Sequence, residues 1–111
     1  MEQDQAQEQD QSQTMVLELA VLNVIQSREA DFERAFREAR GIIASVPGFE
    51  SLDLQKCIEH PNRYALLVRW EKLEDHTIGF RQSPEYQRWK ALLHHFYDPF
   101  PTVEHYARVN V

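Results

Sequence analysis

Apolar and polar positions along the chain alternate, shift to a helical period, alternate twice more, turn helical again and end in a last alternating run. In MVLELAVLNVIQ (15–26) both alternating sets are apolar. Leu17, Leu19, Val21 and Ile25 share one side with Asn23, and Val16, Ala20, Leu22 and Val24 share the other. A strand covered on both faces reads this way, which predicts a first strand over 15–26. Ser27 follows as the expected N-cap, with Glu29 and Asp31 in the first turn. Phe32, Phe36, Ala39, Ile43 and Val46 then recur at helical spacing, so 28–46 is predicted to be an amphipathic helix, stopped by Pro47-Gly48.

FESLDLQKCIEH (49–60) alternates again, with Leu52, Leu54 and Ile58 on one side and Ser51, Asp53 and Gln55 on the other. HPNR (60–63) is a turn, and RYALLVRWE (63–71) places Tyr64, Leu66, Val68 and Trp70 on one face, so the two runs form a hairpin. From Leu73 the period becomes helical, with His76 or Thr77 and Phe80 on the same face, and Gly79 shortens this helix. Ser83-Pro84-Glu85 restarts it as cap, first helical residue and dipole partner. Tyr86, Trp89, Leu93 and Phe96 line one face up to about residue 97, DPFP (98–101) breaks the helix, and 102–110 is a last strand.

The order is β-α-β-β-α-β with the second helix broken: an α+β, ferredoxin-like plan in which a four-stranded antiparallel sheet carries both helices on one face. The other face is left bare while the first strand is apolar on both sides. A second copy of the chain is the simplest cover, because twofold pairing is the commonest assembly, so a homodimer is expected.

Composition narrows the picture. A chain of 111 residues fits one domain. EQDQAQEQDQSQ has no apolar residue larger than Ala6 and cannot offset the entropy of ordering, so residues 1–13 are expected to be a disordered tail and 14–111 the domain. Four of the 18 acids lie in that tail, which has no Lys or Arg, leaving 14 acids against 12 bases. Such a near-neutral body has no basic footprint for nucleic acid and no polybasic cluster for anionic membranes. No apolar run approaches the ~20 residues that span a bilayer, and no basic-then-apolar secretory pattern opens the chain. Cys57 is the only cysteine, so no internal disulfide is expected and a reducing cytoplasm is the default compartment.

With the pattern laid out, the chain resembles the antibiotic biosynthesis monooxygenase family of dimeric α+β barrels. The resemblance rests on LNV in the first strand, VPGFESLDL, YALLVRWEKLEDHTIGFRQSPEYQRW and the closing VEHYARV, and covers about 14–111. It implies a homodimer with a pocket between sheet and helices in each subunit. It also implies oxygenation of polycyclic phenols or anthrones without metal or flavin, with the substrate supplying the electrons. The family's haem-degrading branch uses an asparagine, a tryptophan and a histidine ligand. Those positions fall here on Asn23, Phe80 and near Lys90, and a protonated lysine has no lone pair for iron, so haem is not expected.

Cofactor-free oxygenation needs a base or strong hydrogen-bond acceptors, an aromatic pocket for a flat ring, and exclusion of water. His76 is the candidate base, since imidazole titrates near neutrality; a structural histidine is the alternative. Asn23 and Trp70 are candidates to orient substrate oxygens, against backbone bonding for the amide and core packing for the indole. Phe80, Trp89, Phe96 and Tyr97 are candidate pocket walls or core, and Arg81 either neutralises an enolate or is an exposed charge. No metal site is expected. His94 and His95 diverge by about 100° on a helix, and His105 joins them only by tertiary accident. Cys57 and His60 sit in no acyl-transfer motif, and no glycine-rich phosphate loop exists. The reading is a cofactor-independent monooxygenase of a small aromatic or quinol-like molecule. The rival is a non-catalytic small-molecule-binding or dimerisation module of the same fold.

Overall fold

A computed structural model describes residues 15–111; the tail expected over 1–13 lies outside them. The elements are β1 (Val16–Asn23), α1 (Glu29–Ala44), β2 (Phe49–Lys56), β3 (Arg63–Trp70), a π-helical turn (Asp75–Phe80), α2 (Pro84–Leu93), a 3-10 turn (His94–Phe96) and β4 (Val103–Tyr106). The strands form one antiparallel sheet in the order β2-β3-β1-β4, which is the ferredoxin-like arrangement expected from the element order.

Strand parity divides the sheet. Ala20, Leu22, Val24, Tyr64, Leu66, Val68 and Trp70 are buried on the inner face, where α1 contributes Phe32, Phe36, Ala39 and Ile43 and α2 contributes Trp89 and Leu93. The inner face is tied to α1 by polar contacts as well: Tyr64 Oη donates to Glu33 at 2.6 Å, and Lys56 Nζ stands 3.0 Å from the same carboxylate. The outer face carries Leu17, Leu19, Val21, Ala65 and Leu67, paired as Leu19 with Leu67 and Val21 with Ala65. Val21 is 40% exposed there.

Several expected boundaries differ. β1 ends at Asn23, and Val24 bridges to Tyr97. Ser27 does not cap α1. It takes a left-handed backbone, φ 75°, in a turn closed by Arg28 N–H donating to the Ile25 carbonyl, and the helix opens at Glu29 with no side-chain cap. β2 stops at Lys56, so Ile58 escapes the alternation and is 90% exposed. β4 is an edge strand of four residues, shorter than the expected 102–110.

The Pro47-Gly48 stop is observed, and it has a second use. Gly48 has φ 88°, and the space a Cβ would take there is filled by the Asp75 carboxylate. Asp75 in turn accepts from the Lys72 backbone N–H at 3.1 Å, pinning the entry of the π-helical turn. That turn is wider than the α-helix expected from Leu73 onward, a form often found at functional sites. Leu73 falls outside it and is exposed, while His76 and Phe80 remain together and buried, their rings 6.3 Å apart. Ser83 caps α2 as expected, accepting from Tyr86 N–H at 3.1 Å.

Candidate functional site

A cavity of about 360 Å³ lies between the inner sheet face and the broken second helix. Glu18, Ala20, Leu22 and Leu66 form its sheet side. The π-helical turn supplies His76 and Phe80, with Arg81 just after, and α2 supplies Tyr86 and Trp89. His94, Tyr97, Phe100 and Val103 complete the wall. Its rings interlock edge to face: Phe80 with Tyr86 at 5.3 Å and with Trp89 at 5.7 Å, and His94 with Phe100 at 5.0 Å.

The polar end of the cavity is a chain of three side chains. Glu18 follows the inner-face parity of β1 and is 5% exposed. Its Oε1 accepts the Trp70 indole N–H at 2.9 Å and lies 3.4 Å from Nε2 of His76. The other nitrogen of His76, Nδ1, is 2.8 Å from Nε2 of His105. His105 is the cross-strand partner of Glu18 on β4, which is why the two lie on one face. Trp70 closes the group from beneath, stacked on His76 at 5.4 Å and 19°. Each contact uses a different nitrogen, so the residues are strung in sequence and do not converge on one point. Among the described residues no group of three or more His, Cys, Asp or Glu is arranged to hold a metal ion.

Burial sets the charge states. Desolvation pushes the Glu18 carboxyl up to about 7, against the opposing effects of the Trp70 hydrogen bond and the Arg81 charge. Desolvation pushes His76 down to about 3, helped by the charges of Arg81 and His105, so the ring is neutral at pH 7. With the ring neutral, the 3.4 Å approach between them is a polar contact and not an ion pair. Between His76 Nδ1 and His105 Nε2 one ring donates and the other accepts, and the tautomers decide which. Burial also lowers His94 and His105 and raises the Tyr97 phenol.

Of the residues singled out in the sequence, His76, Phe80, Arg81, Trp89 and Tyr97 line the cavity. Trp70 lies behind that wall, fully buried, and backs the cavity residues Glu18, His76 and Phe80. Phe96 packs on the other side, against Phe32 at 6.0 Å and under the Arg28 guanidinium at 4.8 Å. Asn23 has the outer-face parity; its Oδ1 accepts from Arg63 Nε at 3.4 Å, and it does not line the cavity. Glu18 and the His76–His105 contact were not foreseen. The parity of β1 alone marks Glu18, the one acid among Val16, Ala20, Leu22 and Val24.

Comparison with known proteins places the chain in a family. The sequence pattern of the family described as antibiotic biosynthesis monooxygenase matches residues 15–92. The uncharacterized protein YczJ of Bacillus subtilis (strain 168) is 56% identical over 95 residues, which span 86% of this chain and all of YczJ. A crystal structure from Bordetella bronchiseptica, classed with the antibiotic biosynthesis monooxygenases, superposes with a TM-score of 0.84 at 37% identity, over 88% of this chain and all of that one. A mutant of SnoaB, a cofactor-independent oxygenase of Streptomyces nogalater, shares the fold at 20% identity with a TM-score of 0.68, over 87% of this chain and 93% of that one.

Proposed function

The chain belongs to the antibiotic biosynthesis monooxygenase family, and we propose that it is a cofactor-independent monooxygenase of a small aromatic or quinol-like substrate. The observation that carries this reading is the ring-lined cavity with a carboxyl and a neutral imidazole at its sheet end. Phe80, Tyr86 and Trp89 offer faces and edges to a flat ring, and Arg81 offsets the negative charge of a phenolate or enolate. A proton is taken from the substrate by the Glu18–His76 pair. The resulting anion gives electrons to dioxygen. For a ring methylene, two hydrogens leave carbon, one oxygen atom enters as a carbonyl and the other departs as water, so no outside reductant is needed.

The working unit in this reading is a homodimer. Support comes from the apolar stripe of Leu17, Leu19, Val21, Ala65 and Leu67 on the sheet face opposite the helices, which a second copy would cover. The function is tested by oxygen uptake with a panel of anthrones, quinols and flavonols. Uptake with one oxygen atom recovered in the organic product is expected for at least one of them. Tight binding across the panel with no uptake would overturn the catalytic reading in favour of a binding module.

A further inference from the structure

Resting on that reading, we propose that Glu18 is the catalytic proton acceptor of the cavity, and that His76 and His105 are positioning residues that hold its carboxyl and exchange its proton with the edge of the sheet. The geometry makes the two oxygens of Glu18 unequal. Both described contacts, from Trp70 and from His76, fall on Oε1. Among the described residues no hydrogen bond or ion pair falls on Oε2, and no sealed polar side-chain atom lacks a partner. Oε2 is therefore open to the cavity that Glu18 lines. A carboxyl with one oxygen fixed by the Trp70 indole and the other turned to an aromatic chamber is built to meet an acidic proton.

His76 is poorly suited to that step itself. Both of its ring nitrogens face protein groups, Nε2 toward Glu18 and Nδ1 toward His105 at 2.8 Å. The same burial that holds this ring neutral leaves it a weak base, whereas it brings Glu18 close to neutrality, where a group can both take and return a proton. The charged and titratable groups around Glu18 are His76 and Arg81 from the π-helical turn and its end, His105 from β4, and Tyr97 and His94 from the segment after α2.

In the proposed sequence the substrate O–H or activated C–H bond breaks, its proton goes to Oε2, and the electron pair stays on the substrate as phenolate or carbanion beside Arg81. After dioxygen has added, Glu18 returns that proton to the distal peroxide oxygen. When the O–O bond breaks, the hydrogen still on the oxygenated carbon leaves as a proton, the carbonyl forms, and that proton joins the departing hydroxide as water. The substrate class that follows is an aromatic whose phenolic or benzylic proton is weakly acidic, entering with that group toward β1.

Two measurements test this without presupposing turnover. In the first, protein with carbon-13 at its glutamate side-chain carboxyls is titrated by NMR, and Glu18 is assigned by its loss in Glu18→Gln. An inflection near pH 7 is expected; an inflection in the ordinary carboxylate range overturns the proposal. In the second, a series of nitro- and halo-substituted naphthols is bound at pH 7.5 and their ionisation read by absorbance. Wild type is expected to shift bound naphthol toward naphtholate, and Glu18→Gln to bind the neutral form. Equal ionisation in both proteins, or exclusion of every naphthol, overturns the proposal. For any substrate found by oxygen uptake, Glu18→Gln is expected to lower the rate about 100-fold or more. The pH limb near 7 should be lost and binding should stay within a few-fold. Undiminished uptake in this variant defeats Glu18 as the base and leaves the monooxygenase reading standing. Absence of uptake in wild type alongside naphthol ionisation defeats the monooxygenase reading instead.

Discussion

Trp70 donates its indole N–H to Oε1 of Glu18 across 2.9 Å, with both side chains buried. The bond favours the ionised carboxyl and so restrains the upward push of burial on Glu18. Trp70→Phe keeps the ring and removes the donor. Glu18 is then expected to titrate about one pH unit or more higher, the size of a hydrogen bond to a charged group. Carbon-13 titration of the carboxyl checks this, and an unmoved midpoint would show that the indole only fills space.

Stability against pH should separate the two buried groups. Glu18 is raised from 4.5 to about 7, so its contribution is full below 4.5 and is lost as pH climbs through 7, about 3 kcal/mol in all. His76 is lowered from 6.5 to about 3, so its contribution is full above 6.5 and is lost as pH falls through 3. Between 4.5 and 6.5 the two slopes oppose each other in wild type. Glu18→Gln should leave stability rising with pH up to 6.5, and His76→Gln should leave it falling from 4.5 to 7. Urea denaturation at intervals of half a pH unit reads both slopes.

Gly48 and Asp75 occupy one space, so Gly48→Ala should disturb the site from a distance. The left-handed backbone disfavours any Cβ, and here the Cβ also displaces the Asp75 carboxylate. A loss of about 1–3 kcal/mol is expected, with a chemical-shift change at His76 larger than at Trp89. A shift pattern spread evenly over the core would rule out this route from turn to cavity.

The outer sheet face gives a simple test of assembly. Val21→Glu puts a charge at a half-exposed position amid Leu19, Ala65 and Leu67. Sedimentation should show wild type as a dimer and the variant shifted toward monomer, since an unpaired charge is costly to bury at an interface.

Much of this architecture could be read along the chain because strand and helix periods are strong where one face is covered. The Ser83 cap and the break near Gly79 followed from local chemistry, and the ferredoxin-like plan from the order of the elements. Ser27 shows the limit: its residue type suits a cap, but a tight turn claimed its backbone instead. The site was harder to see. Asn23 drew attention as a polar residue in an apolar strand, yet its parity matched Leu17, Leu19 and Val21, the face without helices. Glu18 had the right parity but reads locally as a solvent-facing acid. His105 becomes meaningful only through the pairing of β1 with β4, which places it across from Glu18, and no local pattern contains that register.

The strand bearing His105 has only four residues and one neighbouring strand. Such a margin opens more readily than the middle of the sheet, so its amides should exchange with solvent sooner than those of β1 and β3. Each opening would carry the outermost imidazole away from His76, 2.8 Å from it in the closed sheet. If the proposed role of His105 holds, breathing at the rim of the sheet would govern how long that imidazole stays docked on His76.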